Sequence, residues 1–354
     1  MALFCTLAIS TWSHAASLSP NEAFRDIRRI ATKDGIEQQE MVALGGVPQW
    51  ISIRSRHRNA PVLLVVHGGP GFTLSPVSDY YLRDLEEFFT VVQWDQRGAG
   101  KSYRREDQQS LAPTLTIDRL TRDTEELIEL LRTRYQRDRV VLMAHSFGTI
   151  LGVKVAQKRP DLLYAYVGTG QFVNAVRSEA LGYEATLADA RAEKNTEAIS
   201  QLEAIAPFPD PARPERNLQN LGVERRWLAH YGGYFRSGGA GHHYDVAQLS
   251  PTYTAADLQS RQEAHEFILQ AMWKELGGVD FSDSTQFKVP VIIMQGRHDR
   301  GTSSVLVQKW YEALQAPHKK LVWFEDSAHM VIEEEPGKLL VQLVNEVLPL
   351  TRAR

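Results

Sequence analysis

The chain has 354 residues, which is long enough for one large α/β domain with an insertion or for two domains. Hydrophobic residues make up 43% of it and charged residues 23%, an ordinary composition for a globular protein. The formal net charge of -3 gives no reason to expect nucleic acid or an anionic membrane surface as a partner. No apolar run approaches the length needed to cross a bilayer, so no membrane span is predicted.

Residues 1–16 have features of a secretory signal peptide. The segment is apolar apart from hydroxyl groups up to Thr11, and the small residues that end at Ala16 resemble a cleavage site. A signal peptide has Lys or Arg before its apolar stretch, and this segment has neither. A loose amino-terminal strand or helix therefore stays the alternative. Cys5 is the only cysteine, which excludes an internal disulfide and a cysteine–zinc site. We expect a periplasmic or secreted protein if the segment is cleaved and a cytoplasmic one otherwise.

Strand signals recur along the rest of the chain. A hairpin is predicted where residues 36–44 and 47–53 meet at Gly45 and Gly46. Continuous apolar runs are typical of strands that are buried on both faces. Such runs occupy residues 61–66, 89–94, 140–143, 162–167, 289–294 and 320–324.

Helix signals alternate with these strands and then replace them for a long stretch. Apolar spacing or composition predicts helices over residues 21–29, 116–132 and 338–347. A parallel sheet that is interrupted by a polar, helix-favouring stretch and then resumes indicates a core domain with an inserted helical cap. The prediction is a core formed by residues 17–173 together with residues 287–354, and a cap formed by residues 174–286.

A serine stands where one predicted strand turns into a helix. The sequence there is Ala144-His-Ser-Phe-Gly148, between an apolar run and a helix-like stretch. Such a strand–turn–helix is a nucleophile elbow, and its tight turn needs small residues two positions on each side of the serine. Ala144 and Gly148 meet that need. We therefore predict Ser146 as a nucleophile exposed at the carboxyl end of a parallel strand.

The groups that a serine nucleophile needs follow in the order acid, then base. Asp299 and His329 each come directly after one of the last two predicted strands, where the catalytic groups of open α/β sheets gather. His298 is the competitor for His329, but it adjoins the acid in sequence. That is a poor position for an imidazole that must reach both Asp299 and Ser146. The predicted triad is Ser146, Asp299 and His329.

Two backbone amides are predicted to bind the oxyanion that forms on the substrate. One belongs to Phe147, which follows the nucleophile and lies close to the start of a helix. The other lies in His67-Gly-Gly-Pro-Gly71, where glycines let the backbone approach a substrate without an intervening side chain. We assign this second donor to Gly69.

The stretch Asp95-Gln-Arg-Gly-Ala-Gly-Lys-Ser102 invites comparison with a phosphate-binding loop. It lacks the four-residue spacer of that loop, and its glycines stand in a different register, so we reject a nucleotide site. We expect Asp95 and Arg97 to form an ion pair that holds this loop beside the elbow.

The adjacent residues His242 and His243 raise the question of a metal site. No acidic or histidine partner stands at helical spacing from them, so a solvated loop is the preferred interpretation. The sequence therefore predicts no metal ion, and no motif in it requires a cofactor.

Taken together, the motifs resemble the proline iminopeptidase-like branch of the α/β-hydrolase superfamily, over about residues 45–172 and 287–335. They are His-Gly-Gly-Pro-Gly, Asp-Gln-Arg-Gly-Ala-Gly-Lys-Ser, the serine elbow, Gly-Arg-His-Asp and Ala-His. The resemblance implies an α/β-hydrolase fold, with an eight-stranded, mostly parallel sheet flanked by helices and a helical cap after the sixth strand. It also implies Ser146 as nucleophile, Asp299 as acid and His329 as base, in agreement with their positions.

Two departures from the family pattern concern the substrate more than the fold. The family's elbow is usually Gly-Gly-Ser-Trp-Gly, whereas this chain has Ala-His-Ser-Phe-Gly. Iminopeptidases also tend to carry Trp-x-x-Trp-Glu in the cap, with a carboxylate that helps to anchor the substrate's free amino terminus, and this string is missing. Glu179, Glu184 and Glu224 are the alternative carboxylates in the predicted cap.

The leading interpretation is a metal-independent serine hydrolase that acts through an acyl-enzyme on a small molecule or a short peptide. By resemblance it releases an amino-terminal residue, as a proline iminopeptidase does. The alternative is a carboxylesterase or lactonase with the same triad and an apolar cap pocket, although aromatic residues in a cap more often form its core. The residues proposed for that pocket are Trp227, Tyr231, Tyr234 and Phe235. A requirement for a free amine in the substrate would separate the two, and the oligomeric state stays open.

Overall fold

The computed structural model describes residues 18–237 and 240–352. The predicted signal peptide, residues 1–16, lies outside these ranges and stays a prediction. Within the described ranges, no helix combines the length and the apolar character that crossing a membrane requires.

The described residues form an eight-stranded sheet with the strand order β1-β2-β4-β3-β5-β6-β7-β8. The strands are β1 (Ile36–Leu44), β2 (Val47–Ser55), β3 (Val62–Val66), β4 (Thr90–Asp95), β5 (Val140–His145), β6 (Leu163–Thr169), β7 (Val291–Gly296) and β8 (Lys319–Phe324). β2 pairs antiparallel with β1 and with β4, and all the other neighbours pair parallel. The predicted α/β-hydrolase fold with a mostly parallel eight-stranded sheet is confirmed.

Helices precede, separate and follow these strands. They are α1 (Pro20–Arg28), α2 (Ser75–Tyr81), α3 (Gln108–Leu111), α4 (Ile117–Tyr135), α5 (Gly148–Lys158), α6 (Ala175–Ala192), α7 (Thr196–Ala204), α8 (Pro214–His230), α9 (Gly241–Gln248), α10 (Ala255–Leu276), α11 (Ser304–Ala313), α12 (Val331–Glu334) and α13 (Pro336–Gln342). The final helix begins two residues before the predicted start and continues through a π-helical turn, Leu343–Val347.

The central strands are largely apolar because both faces of the sheet are covered. In β3, Leu64 and Val66 point into a core cluster that includes residues of α4 and α5. The alternate residues Leu63 and Val65 point into a second cluster on the other face, which includes residues of α2 and α13. Successive side chains of a strand face opposite ways, so a strand between two helical layers needs apolar residues at every position.

Between β6 and β7, the described residues contain the five helices α6 to α10, which we call the helical insertion. Asn174 and Asn195 accept hydrogen bonds from the first turns of α6 and α7, and Thr254 forms a capping box with Asp257 at the start of α10. Part of the insertion has an apolar cluster of its own, which includes Leu202. It therefore combines local helix signals with a small core.

Candidate active site

Ser146 occupies the sharp turn between β5 and α5. Its φ of 52° lies in the left-handed region, which residues with a side chain seldom adopt. Hydrogen bonds hold the turn: Ser146 N donates to Thr169 O at 3.0 Å, and Thr149 Oγ1 donates to Ser146 O at 2.6 Å. A Cβ atom on Gly148 would lie 2.4 Å from Val66 O, so this position needs glycine. The elbow thus packs directly against the end of β3.

Asp299 and His329 are joined by a hydrogen bond of 2.9 Å between Asp299 Oδ2 and His329 Nδ1. Thr302 supports the carboxylate through its amide and its hydroxyl group, at 2.9 Å and 2.7 Å, and Gln295 Nε2 donates to it at 2.7 Å. Burial alone would raise the pKa of Asp299, but the nearby imidazole and these hydrogen bonds outweigh it and lower the pKa. The carboxylate is therefore ionised and keeps a proton on Nδ1 of His329. Sequence reasoning missed Thr302, although a hydroxyl three residues after an aspartate is a recognisable local signal.

His329 lies beside the elbow. Its ring centroid is 4.9 Å from that of His145, the residue before Ser146. A Cβ atom on Gly170, just after β6, would lie 2.8 Å from His329 Cε1 and 3.3 Å from His145 Cε1, so the three loops meet closely. His298, the competing imidazole, is exposed. The structure thus brings Ser146, Asp299 and His329 to one edge of the sheet.

His145 adds a neutral imidazole to this edge, which the sequence analysis had not anticipated. Its Nδ1 lies 3.1 Å from Thr169 Oγ1, and its side chain is buried. Burial, reinforced by the nearby His329, lowers the pKa of His145 to about 3. The ring therefore carries no charge at neutral pH and packs against His329 without competing for its proton.

The glycine-rich loop, residues 67–71, lies against the elbow. A Cβ atom on Gly68 would come within 2.8 Å of Ser146 Cβ, and Gly69 has a φ of 111°. His67 anchors the start of the loop, since its Nδ1 lies 2.9 Å from Gly68 O and its Nε2 accepts from Gln96 N at 3.2 Å. Burial lowers the pKa of His67 to about 3, so this imidazole is neutral. The loop presents backbone, rather than side chains, next to the serine.

The predicted ion pair between Asp95 and Arg97 is wrong. Arg97 Nε donates instead to Asp123 Oδ2 of α4 at 2.7 Å, and Arg97 Nη2 donates to Leu44 O and Gly45 O at 3.1 Å. A buried guanidinium needs several acceptors, and the hairpin end and α4 supply them together. Arg97 therefore ties the hairpin to α4.

Asp95 lies instead among hydroxyl and amide donors. Ser75 Oγ donates to it at 2.5 Å and Lys101 N at 2.8 Å, and the hydroxyl of Tyr253 from the helical insertion also contacts it. Burial raises the pKa of Asp95 to about 6.

The interpretation of His242 and His243 as a solvated loop is wrong, because both residues lie in α9. His242 is exposed, but His243 is buried in α9, with Nδ1 2.7 Å from Glu333 Oε1 and Nε2 3.0 Å from Arg261 Nη2. These partners are 90 and 18 residues away in sequence, so helical spacing could not reveal them. Among the described residues, no group of three His, Cys, Asp or Glu side chains is arranged to hold a metal ion.

The four aromatic residues proposed for one pocket belong to two places. Trp227 and Tyr231 pack in the insertion's own cluster. Tyr234 and Phe235 pack with the core instead. The Tyr234 ring lies edge-on to His329, with 5.1 Å between centroids, and Tyr234 O accepts from His329 N at 2.9 Å. Of the four, only Tyr234 contacts the candidate site in this way.

Two of the three glutamates proposed for the insertion gather beyond Tyr234, whereas Glu184 is exposed. Arg225 pairs with Glu179 and with Glu224, and its Cζ lies 5.8 Å from the Tyr234 ring centroid. Glu224 is fully buried, and within the described part of the chain its Oε1 has no hydrogen-bond partner. Burial raises the pKa of Glu224 to about 7 despite the neighbouring guanidinium. One aromatic ring thus separates this cluster from the candidate base.

Residues 62–343 match the model of the alpha/beta hydrolase family. The chain belongs to this family, and it is therefore a hydrolase.

Two curated relatives and one solved structure indicate which branch of the family this chain resembles. A Bacillus subtilis (strain 168) protein named "Probable aminopeptidase YbaC" is 29% identical over 87% of this chain and 95% of its own. A proline iminopeptidase of Heyndrickxia coagulans is 26% identical over 78% of this chain and 87% of its own. The crystal structure of a proline iminopeptidase from Mycobacterium smegmatis has the same fold, with a TM-score of 0.65 at 19% identity, covering 89% of this chain and 98% of that one. The predicted resemblance to the proline iminopeptidase-like branch is confirmed.

Proposed function

We propose that this hydrolase is an aminopeptidase of the proline iminopeptidase type, with Ser146 as nucleophile, His329 as base and Asp299 as acid. The observation that carries the proposal is the hydrogen bond between Asp299 and His329, at the sheet edge where Ser146 occupies its strained turn. The names of the relatives support the reaction type, since they describe aminopeptidases and proline iminopeptidases.

The proposed chemistry begins with acylation of the serine. His329 Nε2 accepts the proton of the Ser146 hydroxyl group as Oγ attacks the carbonyl carbon of the substrate's amino-terminal residue. Asp299, ionised because its pKa is low, stabilises the imidazolium that results. The imidazolium then donates the proton to the leaving amine as the C–N bond breaks. Water attacks the ester that remains on Ser146, with His329 again as base, and releases the amino acid.

The oxyanion of each tetrahedral intermediate would bind to the amides of Gly69 and Phe147. The approach of Gly68 to Ser146 supports the first assignment, since it places the glycine-rich loop beside the nucleophile. The second is supported by the position of Phe147 immediately before α5, where helix amides point at a negative charge.

We assign recognition of the substrate's amine to the cluster of Glu179, Arg225 and Glu224. With both glutamates ionised, two carboxylates and one guanidinium have a formal charge of -1, which a substrate ammonium would neutralise. Glu224 Oε1, buried without a partner among the described residues, is the acceptor that the ammonium would satisfy. Tyr234 would lie between the bound amine and His329, which is a separation suited to a single amino-terminal residue.

The helical insertion would act as the cap of the site, in keeping with the predicted cap at residues 174–286. Two contacts support this role. The backbone of Tyr234 accepts a hydrogen bond from His329 N, and Ile268 of α10 packs over Gly71 of the glycine-rich loop.

A carboxylesterase or lactonase is the second candidate, and Arg225 is the observation that favours it. Because Arg225 already pairs with Glu179 and Glu224, it competes with any substrate ammonium for the same carboxylates. The same triad would then hydrolyse a small ester that lacks an amine.

Hydrolysis of three substrates by wild type and Ser146→Ala tests the proposal. The substrates are L-proline p-nitroanilide, its N-acetylated form and p-nitrophenyl butyrate, and Ser110→Ala at an exposed serine is the matched control. We expect serine-dependent release from the free anilide and none from the acetylated one. Turnover of the ester alone would establish the esterase. Equal activity in wild type and Ser146→Ala would reject the triad.

A further inference from the structure

One face of α10 lies along the glycine-rich loop. Arg261, His265 and Ile268 stand four and three positions apart, so they share that face. His265 Nδ1 donates to Pro70 O at 2.6 Å. A Cβ atom on Gly71 would lie 2.7 Å from Ile268 Cδ1 and 3.3 Å from His265 Cα, so the helix packs closely against the loop at this glycine.

The ring of Phe72, the residue after the loop, contacts three side chains of the helical insertion. Arg261 Cζ lies 3.6 Å from the ring centroid, and the rings of His243 and His265 lie 5.5 Å away, stacked and edge-on respectively. Arg261 Nε also donates to Thr73 O at 2.9 Å. The insertion therefore holds both the Phe72 side chain and the backbone that follows it.

The same arginine is connected to the segment that carries His329. Arg261 Nη2 donates to His243 Nε2 at 3.0 Å, and His243 Nδ1 donates to Glu333 Oε1 at 2.7 Å. Glu333 belongs to α12 and follows His329 by four residues. All three side chains of this chain of hydrogen bonds are buried. One guanidinium thus contacts the two residues that follow the glycine-rich loop, and it is linked through His243 to the segment after the base.

Arg261 also brings a positive charge close to the loop. Burial lowers the pKa of Arg261 to about 10, so the guanidinium stays charged at neutral pH. Its hydrogen bonds go to a carbonyl oxygen and an imidazole nitrogen. A fixed cation in a water-poor site favours negative charge that develops nearby during a reaction.

We propose that Arg261 is a positioning residue for the oxyanion site, and that it acts through Phe72 and Thr73 to fix the loop that supplies the Gly69 amide. This inference rests on the proposed function, which assigns the oxyanion donor to that loop. If the amide donor moves from its place, binding of the transition state is weakened more than binding of the substrate. Loss of Arg261 therefore lowers kcat more than it raises KM.

The test compares Arg261→Met, Arg261→Lys and Phe72→Leu with wild type, on whichever substrate wild type hydrolyses. For Arg261→Met and Phe72→Leu we expect kcat to fall about 10- to 100-fold, with KM within about threefold. Inactivation by a fluorophosphonate, which also develops charge in the oxyanion site, should slow in parallel. Arg261→Lys should recover part of kcat, because Lys keeps the charge and a donor for Thr73 O.

Phe208→Leu is the matched control, since it makes the same change at a phenylalanine that is buried in the insertion's own cluster, away from Arg261. It should change the Tm without changing kcat. If Arg261→Met fails to fold, Phe72→Leu decides alone, because it leaves the hydrogen bonds of Arg261 in place.

The double variant sharpens the test. If Arg261 acts through Phe72, adding Phe72→Leu to Arg261→Met should lower kcat less than about threefold further. Wild-type kcat in Arg261→Met, or a rise in KM alone, would overturn the inference. Ser146→Ala is assayed in parallel to distinguish failure of this inference from failure of the proposed function. Full activity in Ser146→Ala would reject the proposed function itself.

Discussion

Asp299 and Glu224 are both buried carboxyl groups, one in the core and one in the helical insertion, and their surroundings differ. Asp299 is 2% exposed and accepts four hydrogen bonds, two from Thr302 and one each from Gln295 and His329. Glu224 is 0% exposed and pairs with Arg225, but within the described residues its Oε1 accepts none. The pKa of Asp299 accordingly lies below its usual value, and that of Glu224 rises to about 7.

The comparison indicates that neighbouring donors and charges, more than depth, decide whether a buried carboxyl group stays ionised. Burial disfavours both anions, and the donors around Asp299 compensate for it. The Asp299 site is therefore complete before any substrate arrives. The Glu224 site lacks one donor, and an ammonium group from a substrate would supply it.

The largest expected effect comes from removing the charge at the complete site. Asp299→Asn should lower kcat by about 10³- to 10⁴-fold, because a neutral amide no longer stabilises the imidazolium of His329 or fixes its tautomer. Steady-state kinetics and the Tm measure this. Asp283→Asn, at an exposed aspartate, is the control. A loss below tenfold in a folded Asp299→Asn would contradict the role of acid.

At the Glu224 site, which lacks one donor, Glu224→Gln should weaken binding of the substrate. We expect KM for L-proline p-nitroanilide to rise about 10- to 100-fold, since a charge-assisted hydrogen bond contributes about 1.5–3 kcal/mol. Hydrolysis of p-nitrophenyl butyrate, which has no amine, should be unchanged. Glu184→Gln, an exposed glutamate of α6, should behave as wild type. An equal loss on both substrates would show that Glu224 is structural.

A smaller effect is expected when one donor is taken from the complete site. Thr302→Val removes the hydroxyl group at 2.7 Å from Asp299 Oδ2 but keeps the Thr302 amide. The loss of about 1 kcal/mol should lower kcat about 3- to 10-fold. Pre-steady-state acylation rates measure it. Thr351→Val serves for comparison, since it removes a half-buried hydroxyl group that donates to Leu348 O, away from Asp299. A kcat below a hundredth of wild type in Thr302→Val would mean that the substitution changes the geometry of the site.

The core could be predicted well from sequence because its signals are local. A strand that is covered on both faces must be apolar at every position, so β3 and β7 are visible as continuous runs. The strand order then brings Asp299 and His329 to the edge where Ser146 lies, so position after a strand was sufficient to predict that these residues lie close together.

The contacts of the helical insertion could not be predicted in the same way. His243 bonds to Glu333, 90 residues away, and nothing near either residue signals the pair. Arg97 likewise pairs with Asp123 and not with Asp95, which is nearer in sequence. A buried guanidinium is stabilised where several acceptors are available, whatever their distance along the chain. Partners of buried charges depend on tertiary packing, which a single sequence does not display.

The pH dependence of stability gives the finest test of the comparison, because the two carboxyl groups should contribute with opposite sign. The pKa of Glu224 rises from 4.5 to about 7 on folding, so its contribution to the free energy of unfolding is fully present below about pH 4.5 and is lost as the pH rises through 7. The pKa of Asp299 falls below 3.8 on folding, so its contribution is present above that pH and is lost on acidification.

Glu224→Gln should therefore gain Tm relative to wild type as the pH rises from 5 to 8, by on the order of 2 °C. The measurement is thermal unfolding of wild type, Glu224→Gln and Glu184→Gln across that range. Glu184 is exposed, so its carboxylate carries no burial penalty that Glu184→Gln could remove. This variant should therefore follow the wild-type curve. A constant Tm difference between Glu224→Gln and wild type would mean that Glu224 is ionised throughout. The ion pair with Arg225 would then be sufficient to keep Glu224 ionised without a substrate amine. That outcome would favour the esterase.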